Sequence, residues 1–389
     1  NENTVIRSNY CEGFGGDCFQ SGAYAGRHTL FENNTCRTRY TGAGEGGEEN
    51  CVDLKFTEYT TVRNNSMNGY VGDSGGGPSG PAVHHAGARE ILWEGNTIYS
   101  SQLAVRIATG VNGCGPWEGI MYYEACWANA ISKMPVGFRF VNNLVFDITD
   151  AANEQWGMAL YTEMLGDSVE IYNNVFSNIA HWAHAGTGKF KNNILYNVGT
   201  KWGVALDLAV EGIPSDRLYE FKNNIIFPTT GLRYTYRDAS GNRTTVNTLS
   251  ALEAAVSGSG NISADPRFVN PTISFSTQNY RLPSGSPAID AGISVGTAYS
   301  GSAPDIGVYE SSCSNCTPTP VLPSPTPTPT PPSTTIPGDI NRDGTVNSID
   351  WGLMNSSWLT NNASADLNSD GTVNSIDFSI MNANWLRTS

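Results

Sequence analysis

Positive charge and long apolar runs are both scarce in this chain. Its 389 residues contain 22 Lys and Arg against 36 Asp and Glu, which gives a formal net charge of -14 at pH 7. An acidic surface argues against nucleic acid or an anionic membrane as the partner. No stretch of about 18 consecutive apolar residues occurs, so no membrane span is predicted. The chain opens at Asn1 without a charged and then apolar leader, and we expect that a signal peptide was removed or lies outside this sequence.

Cysteine spacing of the zinc-site type is also missing. Eight cysteines are present, but Cys313-Ser-Asn-Cys316 has no second pair that would complete a four-cysteine site. This number of cysteines favours an oxidising, extracellular environment. Disulfides are therefore expected, and although spacing does not fix the pairing, three pairs are close in sequence: Cys11/Cys18, Cys114/Cys126 and Cys313/Cys316.

An eight-residue segment near the C-terminus occurs twice. Asp343-Gly-Thr-Val-Asn-Ser-Ile-Asp350 returns unchanged as residues 370–377. Each copy completes a twelve-residue loop with oxygen ligands at positions 1, 3, 5, 7, 9 and 12 and glycine at position 6, a pattern that wraps a hard cation. The residues predicted to bind calcium, with the threonines acting through their carbonyl oxygens, are Asp339, Asn341, Asp343, Thr345, Asn347 and Asp350 in the first loop and Asp366, Asn368, Asp370, Thr372, Asn374 and Asp377 in the second.

Position 12 of each loop is Asp, and one short helix is predicted after each loop. This combination, over residues 338–389, resembles a type I dockerin. The resemblance implies a secreted protein, two bound calcium ions, and a cohesin partner on a scaffoldin or cell-surface protein. It also implies that loop positions 10 and 11 recognise the partner, and these are Ser348, Ile349, Ser375 and Ile376. Because the two copies match at these positions, we expect either helix to be able to present the same face to the partner.

Apolar residues follow each loop at helical spacing. They predict two helices that pack on each other through this stripe, which consists of Ile349, Leu353 and Trp358 in the first copy and Ile376, Ile380 and Trp385 in the second.

A segment rich in proline and threonine, residues 313–337, separates this module from the rest of the chain. Proline removes backbone donors and favours polyproline geometry. For the 22 residues 317–338 we expect a semi-rigid spacer that reaches up to about 70 Å at roughly 3.1 Å per residue. The chain is therefore predicted to contain a large domain, 1–312, a linker, 313–337, and the dockerin-like module, 338–389.

A second repeat fills the large domain. An apolar residue, a variable residue and a pair ending in asparagine recur, and each copy is followed by a short strand pattern. The second asparagines are Asn34, Asn65, Asn96, Asn143, Asn174, Asn193 and Asn224, with a weaker first copy at residues 6–9. Such units stack about 4.8 Å apart, and equivalent amides can form a ladder. The pattern predicts an all-β domain, and it resembles a right-handed single-stranded parallel β-helix of the pectate-lyase-like superfamily.

The end of the large domain also resembles secreted β-helix proteins. Asp265-Pro-Arg-Phe268, Ser286-Pro-Ala-Ile-Asp290 and Asp305-Ile-Gly307 are similar to their closing segment. We expect this segment to cap the last coil and to protect its open edge.

In this superfamily, the strand that precedes each ladder position forms the glycan groove. Counting back from the ladder places Asp53 and His84 in register, with Lys55 two residues along on the same face. Later coils bring further polar side chains to this face, and the predicted groove residues are Tyr161, Glu163, His181 and His184. Five tryptophans are available to stack on sugar rings, namely Trp117, Trp127, Trp156, Trp182 and Trp202.

Elimination in an acidic polysaccharide requires a base beside the carboxylate and a positive group that stabilises the enolate. Lys55 is the predicted base, with His84 or His85 second, and Arg89 is predicted to clamp a substrate acid. Asp53, with Glu48 and Glu49, is a candidate ligand of a further calcium ion. The competing interpretations are an exposed ion pair for Asp53 and Lys55, and packing beside Trp182 for His181 and His184.

Two other functions stay open. A glycoside hydrolase would need two placed carboxylates, but the Asn-Thr-Asp, Asp-Asp and Gly-His-Gly signatures of pectin hydrolases are absent, as are the Trp-Ile-Asp-His and Arg-x-Pro-x-x-Arg patterns of well-known pectate lyases. A stack of coils with a docking module could also be a structural, adhesive or self-assembling protein without an active site. The module favours an enzyme, because such modules chiefly deliver glycan-degrading catalysts to a scaffold.

Overall fold

The computed structural model builds the larger part of the chain from three parallel sheets. It describes residues 3–12, 17–21, 28–37, 50–54, 57, 59–69, 82–85, 90–107, 137–149, 157–162, 169–186, 188–208, 220–238, 240–311, 336–341, 345–358, 360–385 and 387, and of these it describes the backbone alone for 21, 82–85, 348, 349 and 356. Two compact units result, residues 1–319 and 320–389.

Each coil of the first unit contributes one strand to each sheet. Sheet 1 contains β1 (Val5–Arg7), β4 (Leu30–Glu32), β7 (Thr61–Arg63), β10 (Ile91–Glu94), β13 (Phe138–Val141), β16 (Val169–Tyr172), β19 (Lys189–Lys191), β22 (Glu220–Lys222) and β26 (Ser257–Ser259). Sheet 2 contains β2 (Tyr10–Glu12), β5 (Thr35–Arg37), β8 (Ser66–Asn68), β11 (Thr97–Ser101), β14 (Leu144–Ile148), β17 (Val175–Ile179), β20 (Ile194–Val198) and β23 (Ile225–Phe227). Sheet 3 contains β3 (Phe19–Ser21), β6 (Val52–Leu54), β9 (Ala82–His85), β12 (Leu103–Ile107), β15 (Met158–Thr162), β18 (His184–Ala185), β21 (Val204–Leu208), β24 (Arg233–Arg237) and β25 (Arg243–Val246).

The chain runs through sheets 1, 2 and 3 in turn and returns to sheet 1 beside the previous coil. This is a right-handed parallel β-helix, as the sequence predicts. The last strand of sheet 3, β25, departs from this pattern because it pairs antiparallel with β24.

The turn between sheets 1 and 2 explains the paired asparagines. The first residue of the pair adopts the left-handed conformation, with φ of 54° at Asn33, 56° at Asn142 and 51° at Asn223. Asparagine and glycine tolerate this conformation better than other residues do, and glycine replaces asparagine at Gly95, where φ is 65°. The turn therefore recurs from coil to coil with little strain.

The second asparagine of each pair forms a continuous buried ladder. Each Nδ2 donates to the Oδ1 of the next coil's asparagine at 2.8 to 3.2 Å, and the ladder runs through Asn9, Asn34, Asn65, Asn96, Asn143, Asn174, Asn193, Asn224 and Asn261. The same Oδ1 atoms accept the backbone N–H of the preceding ladder residue, for example Asn96 N to Asn143 Oδ1 at 2.9 Å. These bonds satisfy amides that would otherwise be buried without partners.

Side chains at equivalent register positions fill the interior of the coils. The inner row of sheet 1 includes Phe31, Trp93, Phe140, Phe190 and Phe221. Across the interior, Phe176 of sheet 2 stacks on Phe140 at 6.3 Å and on Phe190 at 5.9 Å between ring centroids. Aromatic rings stacked in this way contribute beyond the area that they bury.

The closing segment, residues 262–311, lies against the side of the coils. Four of its residues, Phe268, Tyr280, Ala288 and Ile306, are buried against Leu144, Phe146, Val175, Ile194 and Ile225 on the outer face of sheet 2. The first asparagines of two turns hold it there, since Asn192 Nδ2 donates to Ile293 O at 2.7 Å and Asn223 Nδ2 donates to Ala291 O at 2.9 Å. The prediction that this segment caps the last coil holds only at its start, where Ile262 pairs with Ile225 at the open edge of sheet 2. The rest of the segment covers the outer face of sheet 2, which is apolar in these coils.

A short helix, α1 (Leu249–Ala255), follows the last strands of sheet 3. Thr248 caps its N-terminus, with Ala251 N donating to Thr248 Oγ1 at 3.2 Å, and Leu252 is fully buried in the inner core. The Glu253 carboxylate accepts from Asn261 N at 3.1 Å and from Asn261 Nδ2 at 2.7 Å. This helix therefore gives the last ladder asparagine the acceptor that a further coil would have supplied.

Two disulfides occupy equivalent places in the first two coils. Cys11 bonds to Cys18, which confirms one of the close pairs, and Cys36 bonds to Cys51, which the sequence did not predict because 15 residues separate them. Each joins an inner residue of sheet 2 to the residue directly before a strand of sheet 3. The remaining predicted pairs lie outside the described residues.

The second unit contains two helices, α2 (Ser348–Ser356) and α3 (Ser375–Ala383). Its core is formed by Ile336, Val346, Met354, Ala365, Val373 and Met381, with Trp351 and Phe378 packed against it. The predicted apolar stripe is largely exposed instead, at 41% for Leu353, 54% for Ile376 and 39% for Trp385. The predicted packing face was wrong, because Met354 and Met381 follow the loop-closing aspartates by four residues and face inward with them.

Candidate functional site

The outer faces of the three sheets of the β-helix differ in chemistry. On sheet 1, ion pairs link successive coils, with Glu170 3.1 Å from Arg139 Nε and 3.3 Å from Lys189 Nζ, and Glu220 3.0 Å from Lys191 Nζ. Exposed pairs of this kind add little stability, but they engage each of these two glutamate carboxylates with two cations. The closing segment covers the outer face of sheet 2 in the later coils. Sheet 3 remains as the candidate site.

Glu32 is the buried member of the sheet 1 pairs. Burial raises the pKa of its carboxyl, but hydrogen bonds and charge from Arg63 and Arg7 outweigh burial and leave the pKa below its usual range. The Arg63 Nε donates to Glu32 Oε2 at 2.6 Å, and Arg7 donates to the other oxygen. The carboxylate therefore stays ionised at neutral pH, and each of its oxygens accepts a hydrogen bond from one of these two arginines.

Polar side chains recur at one outward register position of sheet 3, which we call the outer row. Gln20 pairs with Asp53, and from β9 onward the paired positions are His84, Arg106, Tyr161, Ala185, Asp207 and Thr235. Adjacent coils are about 4.8 Å apart, so the row extends over about 24 Å from Asp53 to Asp207. An elongated ligand could contact several of these coils at once.

The outer row contains an arginine, Arg106, between two aspartates, Asp53 and Asp207. Gln20 Nε2 donates to Asp53 Oδ2 at 3.0 Å, and the Arg106 guanidinium lies 5.8 Å from the centroid of the Tyr161 ring, a cation–π distance. Asp207 Oδ2 accepts from the Nη2 of Arg243 on β25 at 2.8 Å. The two carboxylates are nearly buried, at 3% exposed for Asp53 and 4% for Asp207. An arginine between two carboxylates provides groups for both an acidic ligand and a cation.

The register of His84 differs from its prediction. Counting back from the ladder asparagines placed Cys51 beside Ala82, but the structure pairs Val52 with Ala82, one residue further along. Strand β9 then has an extra residue, so that Ala82 lies opposite Val105 while His84 lies opposite Arg106. This irregularity brings the backbone of His84 into the outer row by a route that sequence spacing does not reveal.

The structure buries His181 and His184, both 0% exposed. His184 pairs with Leu160 and Leu206 in the inner row of sheet 3, and its ring stacks on Phe190 at 5.8 Å. Alternation along β18 therefore turns Ala185 outward, and His184 does not line the outer face as predicted. His181 lies 6.1 Å from Trp182, which agrees with the alternative of packing beside that residue.

Several predicted catalytic and groove residues lie outside the described residues, namely Lys55, Arg89, Glu163, Glu48 and Glu49. For His84 and His85 the backbone alone is described, as part of β9. Tyr161 and Asp53 are in the outer row.

Arg106 and Asp207 are outer-row residues that the sequence did not reveal. Counting backward from the ladder fails for them, because the connection from sheet 3 to the next strand of sheet 1 varies in length: β12 ends at Ile107 and β13 begins at Phe138. Counting forward from the preceding ladder asparagine finds Arg106 ten residues after Asn96, since the connection from sheet 2 to sheet 3 is short in that coil.

The second loop of the other unit gathers oxygen atoms. Asp366 accepts from Asp370 N at 3.2 Å and from Gly371 N at 2.8 Å, and Asp370 Oδ1 accepts from Thr372 N at 3.0 Å. Gly371, at position 6, has φ of 91°, which the turn requires. Carboxylate and amide oxygens folded inward in this way are suitable donors for a hard cation. Within the described residues, no group of three His, Cys, Asp or Glu side chains lies close enough to hold a metal by itself.

The position-12 aspartates close both loops. Asp350 accepts from Ile340 N at 2.7 Å, and its other oxygen accepts from Asn347 N at 2.9 Å. Asp377 makes the equivalent bonds with Leu367 N at 2.7 Å and Asn374 N at 2.9 Å. Burial raises the pKa of Asp377, but the backbone hydrogen bonds outweigh it and leave the pKa below its usual value. Each half of the repeat is thus closed by its own buried aspartate, through equivalent hydrogen bonds from the backbone. Asp343 lies outside the described residues.

A family model described as the dockerin type I domain matches residues 337–385. These residues form a type I dockerin. Type I dockerins generally bind calcium, are typical of secreted proteins and imply a cohesin partner. The dockerin side chains predicted to recognise the partner include Ser375 and Ile376, which are both exposed at the start of α3. For Ser348 and Ile349 the structure describes the backbone at the start of α2.

A solved structure is similar to a larger part of the chain. The crystal structure of pectate lyase Pel9A is similar to this chain at 15% sequence identity with a TM-score of 0.44, and the alignment covers 79% of this chain and 73% of that one. No curated protein matches the chain. None of the helices that the structure describes is both long and apolar enough to cross a membrane.

Proposed function

We propose that this protein is a polysaccharide lyase that acts on an acidic glycan and is delivered to its substrate by the dockerin. In this proposal the domain 1–312 binds and cleaves the polymer, the linker 313–337 spaces it, and the module 338–389 docks to a cohesin on a scaffold. The observation that carries the proposal is the outer row, because an arginine, a tyrosine and two aspartates lie within one row that spans six coils. A linear acidic polymer has the extended shape and the charge that such a row can bind.

The reaction that fits this site is β-elimination. A base removes the proton on the carbon beside the uronate carboxylate, the electrons of that C–H bond form a carbon–carbon double bond, and the glycosidic oxygen on the next carbon leaves with its bonding electrons and takes up a proton. We assign the base to Lys55, with His84 and then His85 as the alternatives. Arg89 and Arg106 are assigned to the substrate carboxylates, where a guanidinium can donate two parallel hydrogen bonds. Tyr161 and Glu163 are assigned to the groove.

Calcium has two assigned roles. In the dockerin, one ion per loop is assigned to the oxygens of Asp339, Asn341, Asp343, Thr345, Asn347 and Asp350 and to those of Asp366, Asn368, Asp370, Thr372, Asn374 and Asp377. The inward-folded oxygens of the second loop support this assignment. A further ion is assigned to the groove near Asp53, where it would neutralise a substrate carboxylate. When bound there, the ion supplies positive charge, and Asp53 supplies one of its ligands.

The cohesin is assigned to the exposed apolar residues of the dockerin. Ile376, Leu353, Trp385 and Trp358 are between 36% and 54% exposed, although they are large and apolar. Surface groups of this kind are enriched at interfaces between proteins. The partner-binding residues are therefore assigned as Ser348, Ile349, Ser375 and Ile376, with these apolar neighbours extending the contact.

Single substitutions on the full chain test the assignment of the base. We expect Lys55→Ala to reduce the release of unsaturated ends from an acidic polymer by at least a hundredfold, because a general base contributes about 10²- to 10⁴-fold to rate. Lys222→Ala, which removes a lysine from the outer face of sheet 1, is the matched control and should retain activity. If Lys55→Ala retains full activity and His84→Ala abolishes it, the base is His84; if neither changes the rate, the assignment to this face is wrong.

A further inference from the structure

Two tryptophans form an ordered aromatic cluster next to the outer row. The indole of Trp182 packs with Tyr161 around Ala185, both of which belong to the outer row. Trp182 meets Trp202 edge to face, with ring centroids 6.2 Å apart and an angle of 85°. The aromatic surface therefore continues from Tyr161 across two further coils, to the corner where sheet 2 turns into sheet 3.

Trp202 is held rigidly on one side and exposed on the other. The buried His181 ring stacks on it at 4.0 Å with an interplanar angle of 23°, while Trp202 itself is 36% exposed. Because His181 covers one indole face, the exposed ring area of Trp202 lies on the other face and the ring edges. A flat, exposed apolar face of this kind suits the C–H face of a pyranose ring.

The backbone fixes the position of this indole. Gly203 N donates to Gly199 O at 2.7 Å and closes the turn, while Lys201 N donates to Ala180 O of the preceding coil at 2.9 Å. Gly199 has φ of 67°, and a Cβ there would come within 2.8 to 3.0 Å of the Val204 backbone. The turn is thus specified by glycine and bonded to its neighbour, so that little order has to be gained when a ligand binds.

The guanidinium of Arg233 lies next to Trp202. Arg233 Nη2 donates to Trp202 O at 2.7 Å, although the Arg233 side chain is exposed. Among the described residues, no acidic side chain forms an ion pair with Arg233, whereas Arg243 on the neighbouring strand is paired with Asp207. The planar guanidinium has further N–H groups that can bind a carboxylate.

We propose that Trp202, Trp182 and Arg233 form a subsite for one uronate residue of the substrate, with the sugar ring on Trp202 and its carboxylate on Arg233. The inference rests on the proposed function, since it places an additional unit of the same acidic polymer beside the outer row. Trp202 and Arg233 are positioning residues here and take no part in the bond changes. They hold the chain of the polymer so that it continues along Tyr161 and Arg106.

Affinity electrophoresis of the full chain through gels that contain soluble polygalacturonate, alginate or hyaluronate tests this subsite. We expect Trp202→Ala to weaken binding to the preferred polymer at least tenfold and Trp202→Phe to recover part of the loss, since a phenyl ring still stacks. Arg233→Ala should weaken binding to the acidic polymer but not to its carboxyl-reduced form. Phe275→Ala, which removes another exposed aromatic residue, is the matched control and should bind as the unmodified protein does.

The outcomes separate the two proposals. If the unmodified protein binds an acidic polymer and Trp202→Ala binds it equally well, the subsite is refuted and the proposed function stands. If the unmodified protein binds none of the acidic polymers, both are refuted. On a cleaved polymer, Trp202→Ala should raise KM and leave kcat within about twofold, and a loss confined to kcat would also contradict a positioning role.

Discussion

The two asparagines of each turn differ in their contribution although they are adjacent in sequence. Asn142 adopts φ of 56° and is only partly buried, whereas Asn143 is 0% exposed and its side chain takes part in five hydrogen bonds. The first position therefore requires a conformation, which glycine can also supply. The second requires an amide, because both its donor and its acceptor face buried partners.

This difference can be measured with a matched pair of variants. Asn143→Ala should lower the free energy of unfolding of the β-helix by roughly 3 to 5 kcal/mol, because it leaves several buried donors and acceptors without partners. Asn142→Gly should change it by less than about 1 kcal/mol, since glycine accepts positive φ. Denaturant unfolding followed by circular dichroism checks both, and equal losses in the two variants would contradict the ladder as the stabilising feature.

At the scale of elements, the closing segment accounts for the composition of sheet 2. The outward residues of the covered coils are apolar, as Leu144 and Val175 are, while their paired positions in uncovered coils are Thr35 and Ser66. The run Leu-Val-Phe of β14 carries apolar residues on both of its faces, which indicates burial from both sides. This signal was present in the sequence, but the identity of the covering segment was not.

The closing segment also contains a pH-sensitive carboxyl. Burial, together with the nearby Asp305 and Asp290 charges, raises the pKa of Glu310 from 4.5 to about 6, although Ser300 N and Asp305 N donate hydrogen bonds to it. Because the folded state holds this proton more tightly than the unfolded state does, stability falls as pH rises through the interval from 4.5 to 6. The loss should be about 1 kcal/mol once solvent screening of this half-buried group is allowed for.

Glu310→Gln removes this titration. Between pH 4.5 and pH 7 the unmodified protein should lose about 1 kcal/mol more stability than the variant does. Thermal unfolding of both proteins at the two pH values measures the difference. Glutamine cannot make one of the hydrogen bonds of Glu310, but this loss is present at both pH values and cancels in the comparison. Parallel pH profiles of the two proteins would contradict a raised pKa of Glu310 in the folded state.

Each of the two dockerin loops is assigned one calcium ion, and the two sites can be tested separately. Calorimetric titration of the metal-free full chain should give two dockerin sites, and Asp339→Ala or Asp366→Ala should each remove one of them, because each variant loses a first-position ligand. Asp238→Ala, in the exposed turn between β24 and β25, is the matched control and should retain both. A third site that disappears in Asp53→Asn would support the groove calcium, whereas two sites surviving in Asp366→Ala would contradict the ligand set.

At the scale of the whole molecule, the sequence predicted architecture better than it predicted the site. Periodic asparagines and identical loops are local signals that repeat, so they disclosed the β-helix and the dockerin. The outer row depends on which residue of each sheet 3 strand faces outward and on the lengths of the connections between sheets. The extra residue in β9 and the inward turn of His184 follow from packing between coils, which spacing along one chain does not encode.

The same reasoning applies to the dockerin helices. Both the stripe that contains Ile376 and the positions of Met354 and Met381 have helical spacing, so periodicity alone could not select the buried face. The loops determine which helix face is buried, because Asp350 and Asp377 have to turn inward to accept the backbone N–H groups. The exposed stripe is then available for a partner.

Our proposal is that the outer face of sheet 3 cleaves an acidic polysaccharide by elimination. Its most direct test is ultraviolet absorbance during incubation of the full chain, with calcium, on polygalacturonate, alginate and glycosaminoglycans, beside the Lys55→Ala and Lys222→Ala variants. We predict new absorbance from unsaturated ends on at least one polymer, lost with Lys55→Ala and kept with Lys222→Ala. Reducing ends without absorbance would indicate hydrolysis, and no product from any polymer would contradict an enzymatic role and favour a structural one.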